Sequence, residues 1–173
     1  MRKLRDLRAG ARYHVSARAN YGEAILNPSE VKELFLSVLR EAKRKYDFCI
    51  EHFCIMGNHY HLIVRPGENE CLSVIMKWIM QVFAMRYNRR LGIHGHVWGD
   101  RFFSRIIVDR EDFKRIFEYI NDNPVKEHFV PEPGSWPYGG LYHHRTMRFD
   151  ILDLLPQWIT ALFKAASSAY AVP

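Results

Sequence analysis

Hydrophobic periodicity predicts an α+β protein. The expected fold is a ferredoxin-like antiparallel sheet with helices packed on one face, plus a C-terminal helical extension. Three observations lead there. Strand-like and helix-like stretches follow one another as strand, helix, strand, strand, helix, strand, the split pattern of that sheet. Gly57 and Asn58 lie between two apolar runs and read as a tight turn joining two antiparallel strands. The 173 residues are 48% hydrophobic and 25% charged, which suits one globular domain with a real core.

The elements follow in order. Tyr13-His14-Val15-Ser16-Ala17-Arg18 alternates as a first strand. Asn27-Pro28-Ser29-Glu30 reads as a helix start, and Val31, Leu34, Phe35, Val38 and Leu39 continue at helical spacing towards Lys45. Phe48 to Met56 and His59 to Arg65 form strands two and three. A second helix runs from Cys71 to Asn88, with Leu72, Ile75, Met76, Ile79, Met80, Phe83 and Tyr87 as its core stripe. The glycine-rich loop Leu91 to Asp100 leads into a fourth strand, Arg101 to Asp109. Asp109 caps a third helix that Asn123-Pro124 is expected to halt. Residues 124–150 look irregular. A last amphipathic helix starts near Pro156, with Leu155, Trp158, Ile159, Leu162 and Phe163 on one face, fit to pack on the sheet or on a partner subunit. Residues 1–150 are expected to form one domain and 151–173 a helical extension of it.

Composition narrows the function. Net charge is +6, from 25 Lys and Arg against 19 Asp and Glu, which favours a polyanionic partner, most simply nucleic acid. That balance disfavours a metal-dependent hydrolase acting on a non-nucleic substrate. Arg2, Lys3, Arg5, Arg8 and Arg12 form either a basic arm on phosphates or a solvated end. Cys49, Cys54 and Cys71 show no metal spacing and suit reduced thiols. No apolar run approaches the roughly 20 residues of a membrane span. The charged N-terminus does not read as a secretory signal, so a cytoplasmic, membrane-free protein is expected.

The chemistry concentrates in Phe53 to Arg65, FCIMGNHYHLIVR. In a strand, positions i and i+2 share a face, so His59 and His61 would point the same way, about 7 Å apart. Such a pair is half of a metal site, or two core histidines. Tyr119 and Asn123 stand four apart and share a helix face, with Cβ atoms about 6 Å apart. A tyrosine hydroxyl can be a nucleophile, or the ring can simply pack. The Asn123 amide oxygen can be a hard metal ligand, or the residue can cap its helix.

The segments MGNHYHLIV, GHVWGDRFFS and YINDNPV, in this order and at about this spacing, resemble the three signatures of the REP-associated tyrosine transposases. These belong to the single-tyrosine branch of the HUH nucleases, and the resemblance covers roughly residues 11–140. It implies a DNA transposase-like nuclease that cleaves and rejoins single-stranded or hairpin DNA through a covalent 5′-phosphotyrosine. The resemblance makes His59, His61 and Asn123 ligands of a divalent metal, Mg²⁺ or Mn²⁺. It makes Tyr119 the nucleophile, served by His59 and His61. By the resemblance Arg101, in the middle signature, touches DNA, the alternative being a surface strand arginine. Arg115, one turn before Tyr119, either steadies the phosphate or is solvated, and Arg12 and Arg18 are further DNA-binding candidates from the N-terminal side. A nucleoid-associated location follows, and a homodimer stands open beside a monomer. The alternative is a non-cleaving DNA-binding module on the same fold.

Three features differ from the family pattern and bear on DNA specificity. Tyr60 replaces the usual aliphatic between the histidines. Lys126-Glu127-His128 stands where a basic-small-glycine segment is usual, and Ser135-Trp136-Pro137-Tyr138 where a Trp-Ser segment is usual. Residues 146–173 have no recognisable counterpart among the family's signatures. His94 and His96, another His-x-His pair, read as DNA-loop or structural residues, with a second metal site as the alternative, and Trp98 either stacks on a base or packs in the core.

Overall fold

The computed structural model describes residues 8, 10–153 and 155–169. In chain order it contains β1 (Arg12–Arg18), α1 (Ser29–Lys45), β2 (Phe48–Ile55), β3 (His59–Pro66), α2 (Leu72–Leu91), β4 (Phe103–Ile107), α3 (Arg110–Lys126), α4 (Gly140–Arg145) and α5 (Gln157–Ala169). The four strands form one sheet in the order β2-β3-β1-β4, every neighbour antiparallel. This is the ferredoxin-like arrangement, with β3 and β1 at its centre.

Alternation along the central strands builds two unlike faces. Tyr13, Val15 and Ala17 of β1 share a face with Val64, Leu62 and Tyr60 of β3, through the register Tyr13↔Val64, Val15↔Leu62 and Ala17↔Tyr60. All six are buried. Phe35 of α1 lies 4.7 Å from Tyr60 and 5.3 Å from Phe83 of α2, ring centre to ring centre. Trp98 closes this side against Phe35, Tyr60 and Phe83, and its Nε1–H donates to the Met80 carbonyl. Of the two readings of Trp98, the structure gives the packed one.

His14, Ser16 and Arg18 project from the other face beside His61 and His59. Here the expectation of helices on one face holds only for α1 and α2, because α3 crosses the opposite side. Phe117 of α3 packs 4.5 Å from His52, and Phe163 of α5 packs 4.8 Å from Phe117. Ile159 and Phe163 are fully buried, so the apolar stripe of α5 is core.

The third helix departs from expectation. Pro124 does not halt it; α3 runs on to Lys126. Proline lacks an N–H, so the Ile120 carbonyl loses its intrahelical donor. The loss falls in the last turn, where helix carbonyls commonly lack partners. Pro124 itself is buried, which offsets part of the cost. As a result Asn123 lies inside the helix, and its reading as a helix cap is set aside.

The C-terminal segment protects the sheet edge. The Ile55 N–H donates to the Tyr138 carbonyl, Trp136 Nε1 donates to the Ile55 carbonyl, and the Asp153 N–H donates to the Ile50 carbonyl. These contacts occupy polar groups that an edge strand would otherwise present for unwanted pairing. Ser135-Trp136-Pro137-Tyr138, singled out as a family departure, therefore serves the β2 edge.

Candidate active site

His59 and His61 leave β3 on the same face, their ring centres 5.0 Å apart and their planes at 82°. The register pairs them with Arg18 and Ser16 of β1. Tyr60, between them, turns into the core. The His–Tyr–His spacing thus lets one strand anchor itself on one side and present two imidazoles on the other. The Tyr119 ring of α3 stands edge-on to His61, 5.4 Å centre to centre, and edge-on to His14 at 6.3 Å. Tyr119 is 47% exposed, so its hydroxyl is open to a ligand in the cleft.

Asn123 follows one helical turn later. Its Nδ2 donates to the Tyr119 carbonyl at 2.6 Å, which leaves Oδ1 to meet His59. The four residues picked from the sequence, His59, His61, Tyr119 and Asn123, are therefore neighbours in space.

His59 is engaged by both Asn58 and Asn123, whereas His61 has one ring nitrogen engaged and one left over. Asn58 Nδ2 donates to the Gly22 carbonyl at 3.0 Å, so Asn58 Oδ1 is the acceptor for His59 Nδ1–H at 2.7 Å. His61 Nδ1 and His14 Nε2 lie 3.0 Å apart. His61 Nε2 is buried and has no hydrogen-bond partner among the described residues. A buried polar atom in that state is costly unless something binds it. Burial pushes His61 down to about 3, with His14 and His59 adding to the effect. Burial likewise lowers His14 to about 4, helped by Arg105 and opposed by Asp112. Burial also lowers His59, partly offset by Asn123. All three rings are neutral near pH 7, the form that ligates metal.

Two neutral imidazoles and an amide oxygen are a donor set that would fit a divalent ion. Among the described residues, no three His, Cys, Asp or Glu side chains gather as a metal cage. The third ligand of such a site would have to be of another type, as Asn123 is. His94 and His96 are exposed in the loop before β4, apart from any such cage.

The histidines and Tyr119 line an open cleft of about 590 Å³, together with Ser16, Arg18, Asp100, Arg101, Phe103 and Glu127. The loop that carries Asp100 and Arg101 is held at its base. The Asn20 N–H donates to the Val97 carbonyl, and the Gly99 N–H to the Arg18 carbonyl. Arg18 and Arg101 are exposed at the rim. Arg115 is exposed on α3 but bonds Asp112 at 3.1 Å. Arg12 stands apart: Glu51 holds it at 2.7 Å, and its guanidinium lies over the Trp158 ring. Of the basic N-terminal arm, residues 1–7 lie outside the described residues.

Sequence reading missed three neighbours of the site. His14 looked like an ordinary strand residue, Asn58 like a turn residue, and Lys126, now 5.7 Å above the Tyr119 ring, like a family departure. A polar residue in register with the HUH strand could have flagged His14. Nothing local flagged the other two.

The family model for IS200-like transposases matches residues 8–123. The chain belongs to the IS200-like transposase family. A Haemophilus influenzae protein named for the REP-associated tyrosine transposases is 26% identical over 127 residues, spanning 68% of this chain and 71% of that protein. The REP-associated tyrosine transposase of Escherichia coli K12 is 24% identical over 104 residues, 59% of each chain. A solved REP-associated tyrosine transposase, bound to a REP hairpin, superposes with a TM-score of 0.71 at 21% identity, covering 89% of this chain and 95% of that one. This likeness bears out the α+β, ferredoxin-like fold. No helix among the described residues is long and apolar enough to cross a membrane.

Proposed function

We propose that this IS200-like transposase cuts and rejoins single-stranded or hairpin DNA through Tyr119. In this reading His59, His61 and Asn123 hold one divalent ion, Mg²⁺ or Mn²⁺. The observation that carries it is a half-exposed phenol set edge-on against a buried imidazole whose outer nitrogen has no hydrogen-bond partner among the described residues.

The Tyr119 oxygen attacks the scissile phosphorus in line with the departing 3′-oxygen. One P–O bond forms to Tyr119 as the P–O3′ bond breaks, and the phenol proton is lost to solvent while the 3′-oxygen gains one. The product is a 5′-phosphotyrosine and a free 3′-hydroxyl. Attack by a 3′-hydroxyl on that phosphotyrosine reverses the exchange, joins the strand and releases Tyr119, so no phosphodiester energy is lost. When bound, the ion supplies charge neutralisation at a non-bridging phosphate oxygen. His59, His61 and Asn123 would hold the ion. Arg18 and Arg101 at the rim neutralise flanking phosphates, and Lys126 adds positive charge near the phenol. A hairpin substrate is supported by the solved relative's REP hairpin and by the +6 charge of this chain.

The test is incubation with hairpin-bearing single-stranded DNA and Mn²⁺ or Mg²⁺, read on a denaturing gel. A shortened strand and a retarded covalent protein–DNA band are expected. Tight hairpin binding with neither product, under either metal, would leave a non-cleaving DNA-binding module.

A further inference from the structure

We propose that His14 is a positioning residue for the metal site: its Nε2 accepts the Nδ1–H of His61 and fixes the tautomer in which His61 Nε2 is bare. The proposal rests on His59, His61 and Asn123 being metal ligands, and its test separates the two ideas.

Two imidazole nitrogens 3.0 Å apart share one proton: one ring donates and the other accepts. If His14 donated, His61 would carry its own proton on Nε2. An N–H would then point from a 6%-exposed side chain with nothing among the described residues to receive it. If His61 donates, Nε2 is a lone pair that a cation can satisfy. His59 shows the same design, with Nδ1–H given to Asn58 Oδ1 and the amide turned by its own bond to Gly22. Each of the two β3 histidines thus has a dedicated partner on Nδ1, one from the hairpin turn and one from the neighbouring central strand.

The strand context explains why His14 can do this. β1 lies between β3 and β4, and the register sets His14 opposite Ile63, two residues along from the Ser16↔His61 pair. Two flanking ladders hold its backbone, and Phe103 and Tyr119 fix its ring edge-on at 6.3 Å each. Its partner atom therefore does not wander. Many metal-bound histidines lean instead on a carboxylate, which makes the ring a stronger donor. Here both partners, His14 and Asn58, are uncharged. Such ligands suit a loosely held, exchangeable ion rather than a permanently bound one.

The experiment titrates Mn²⁺ into the purified full chain, with free ion read by electron paramagnetic resonance, for wild type, His14→Leu, His14→Gln and His59→Ala. His14→Leu keeps bulk but offers no acceptor, and is expected to weaken Mn²⁺ binding about ten- to a hundredfold. His14→Gln offers an amide oxygen near the lost nitrogen and is expected to recover most of that loss. A purely packing role would give the opposite ranking, because leucine fills the apolar surroundings better. If His59→Ala binds Mn²⁺ like wild type, the ligand reading fails. If His59→Ala loses the ion while His14→Leu keeps wild-type affinity, only the role of His14 fails. The wild-type ¹⁵N imidazole spectrum tests the tautomer without any variant. His61 protonated on Nδ1 is expected, and protonation on Nε2 overturns the proposal even if the His14 variants fail to fold.

Discussion

The two faces of the sheet are made from the same short stretches of β1 and β3, yet they do opposite things. One face presents Tyr13, Val15, Ala17, Tyr60, Leu62 and Val64 to α1 and α2 and is sealed. The other presents Ser16, Arg18, His59 and His61 to a cleft about 590 Å³ in volume, with His14 buried behind His61. Strand alternation couples the two: each side chain on this face is bracketed by neighbours locked in the core. Rigidity on one side is thus what gives precision on the other. A tyrosine sits on each side of this division. Tyr60 is fully buried and its hydroxyl finds no partner among the described residues, whereas Tyr119 stands half-exposed at the cleft.

The same substitution therefore separates the faces. Tyr119→Phe removes one oxygen from the proposed nucleophile. Cleavage and the covalent adduct are both expected to vanish, with melting temperature and hairpin affinity unchanged. Excess Mn²⁺ will not rescue it, whereas excess Mn²⁺ partly restores His59→Ala. An adduct that persists in Tyr119→Phe, mapped to Tyr87 or Tyr138, would move the nucleophile. Tyr60→Phe removes the same atom from the sealed face. It is expected to keep full cleavage and to leave stability level or raise it by about 1 kcal/mol, because a buried, unpaired hydroxyl is a burden. Tyr60→Ala, by contrast, opens a cavity against Phe35 and Trp98 and costs about 3–5 kcal/mol, read by denaturant unfolding.

Buried histidines set a second, smaller contrast. His52 is sealed between Phe117 and Phe163, and burial drives it down to about 3. His143, against Phe53, is driven down to about 4, mainly by burial, with Arg148 adding and Asp150 opposing. In the unfolded chain both titrate near 6.5. Below that pH the unfolded state takes up protons that the folded state refuses. The stabilisation from their neutral form is complete above about pH 6.5 and is lost as pH falls towards 3–4. Each such histidine contributes a slope of up to about 1.4 kcal/mol per pH unit in that window. Urea unfolding between pH 7 and pH 4.5 is expected to show stability falling steadily. His52→Phe would flatten that fall, and an unchanged slope in that variant would assign the acid sensitivity elsewhere.

The sheet, its order of elements and the grouping of the four candidate residues were legible because each left a local mark. Period-two alternation marked β1 and β3, and the i, i+2 and i, i+4 spacings marked His59 with His61 and Tyr119 with Asn123. Asn123-Pro124 misled, because the rule that proline ends a helix weighs only the lost N–H, and burial of Pro124 lies outside its reach. His14 was illegible for another reason. It lies 47 residues from His61 in sequence, and only the pairing of β1 with β3 brings them to 3.0 Å. Arg12 and Arg18 read alike as basic residues of the first strand, yet one is consumed by Glu51 and the other is exposed at the cleft. Local pattern sees periodicity; it does not see which long-range partner claims a charge.

That last difference gives the smallest expected effect. Each arginine that neutralises a phosphate of single-stranded DNA contributes about 0.7 to the slope of log affinity against log salt. Arg18→Gln and Arg101→Gln are each expected to flatten the salt dependence of hairpin binding by about that much. Each should also weaken binding a few-fold at low salt, measured by fluorescence anisotropy across a salt series. Arg12→Gln should leave the slope where it was, because Glu51 and Trp158 already engage its guanidinium. Its cost appears instead in unfolding, at about 1 kcal/mol, since Glu51 stays buried and retains Arg65 at 3.3 Å. If Arg12→Gln flattens the slope as much as Arg18→Gln does, the Glu51 pair opens to admit DNA. The N-terminal end of β1 would then join the cleft as part of the nucleic-acid surface.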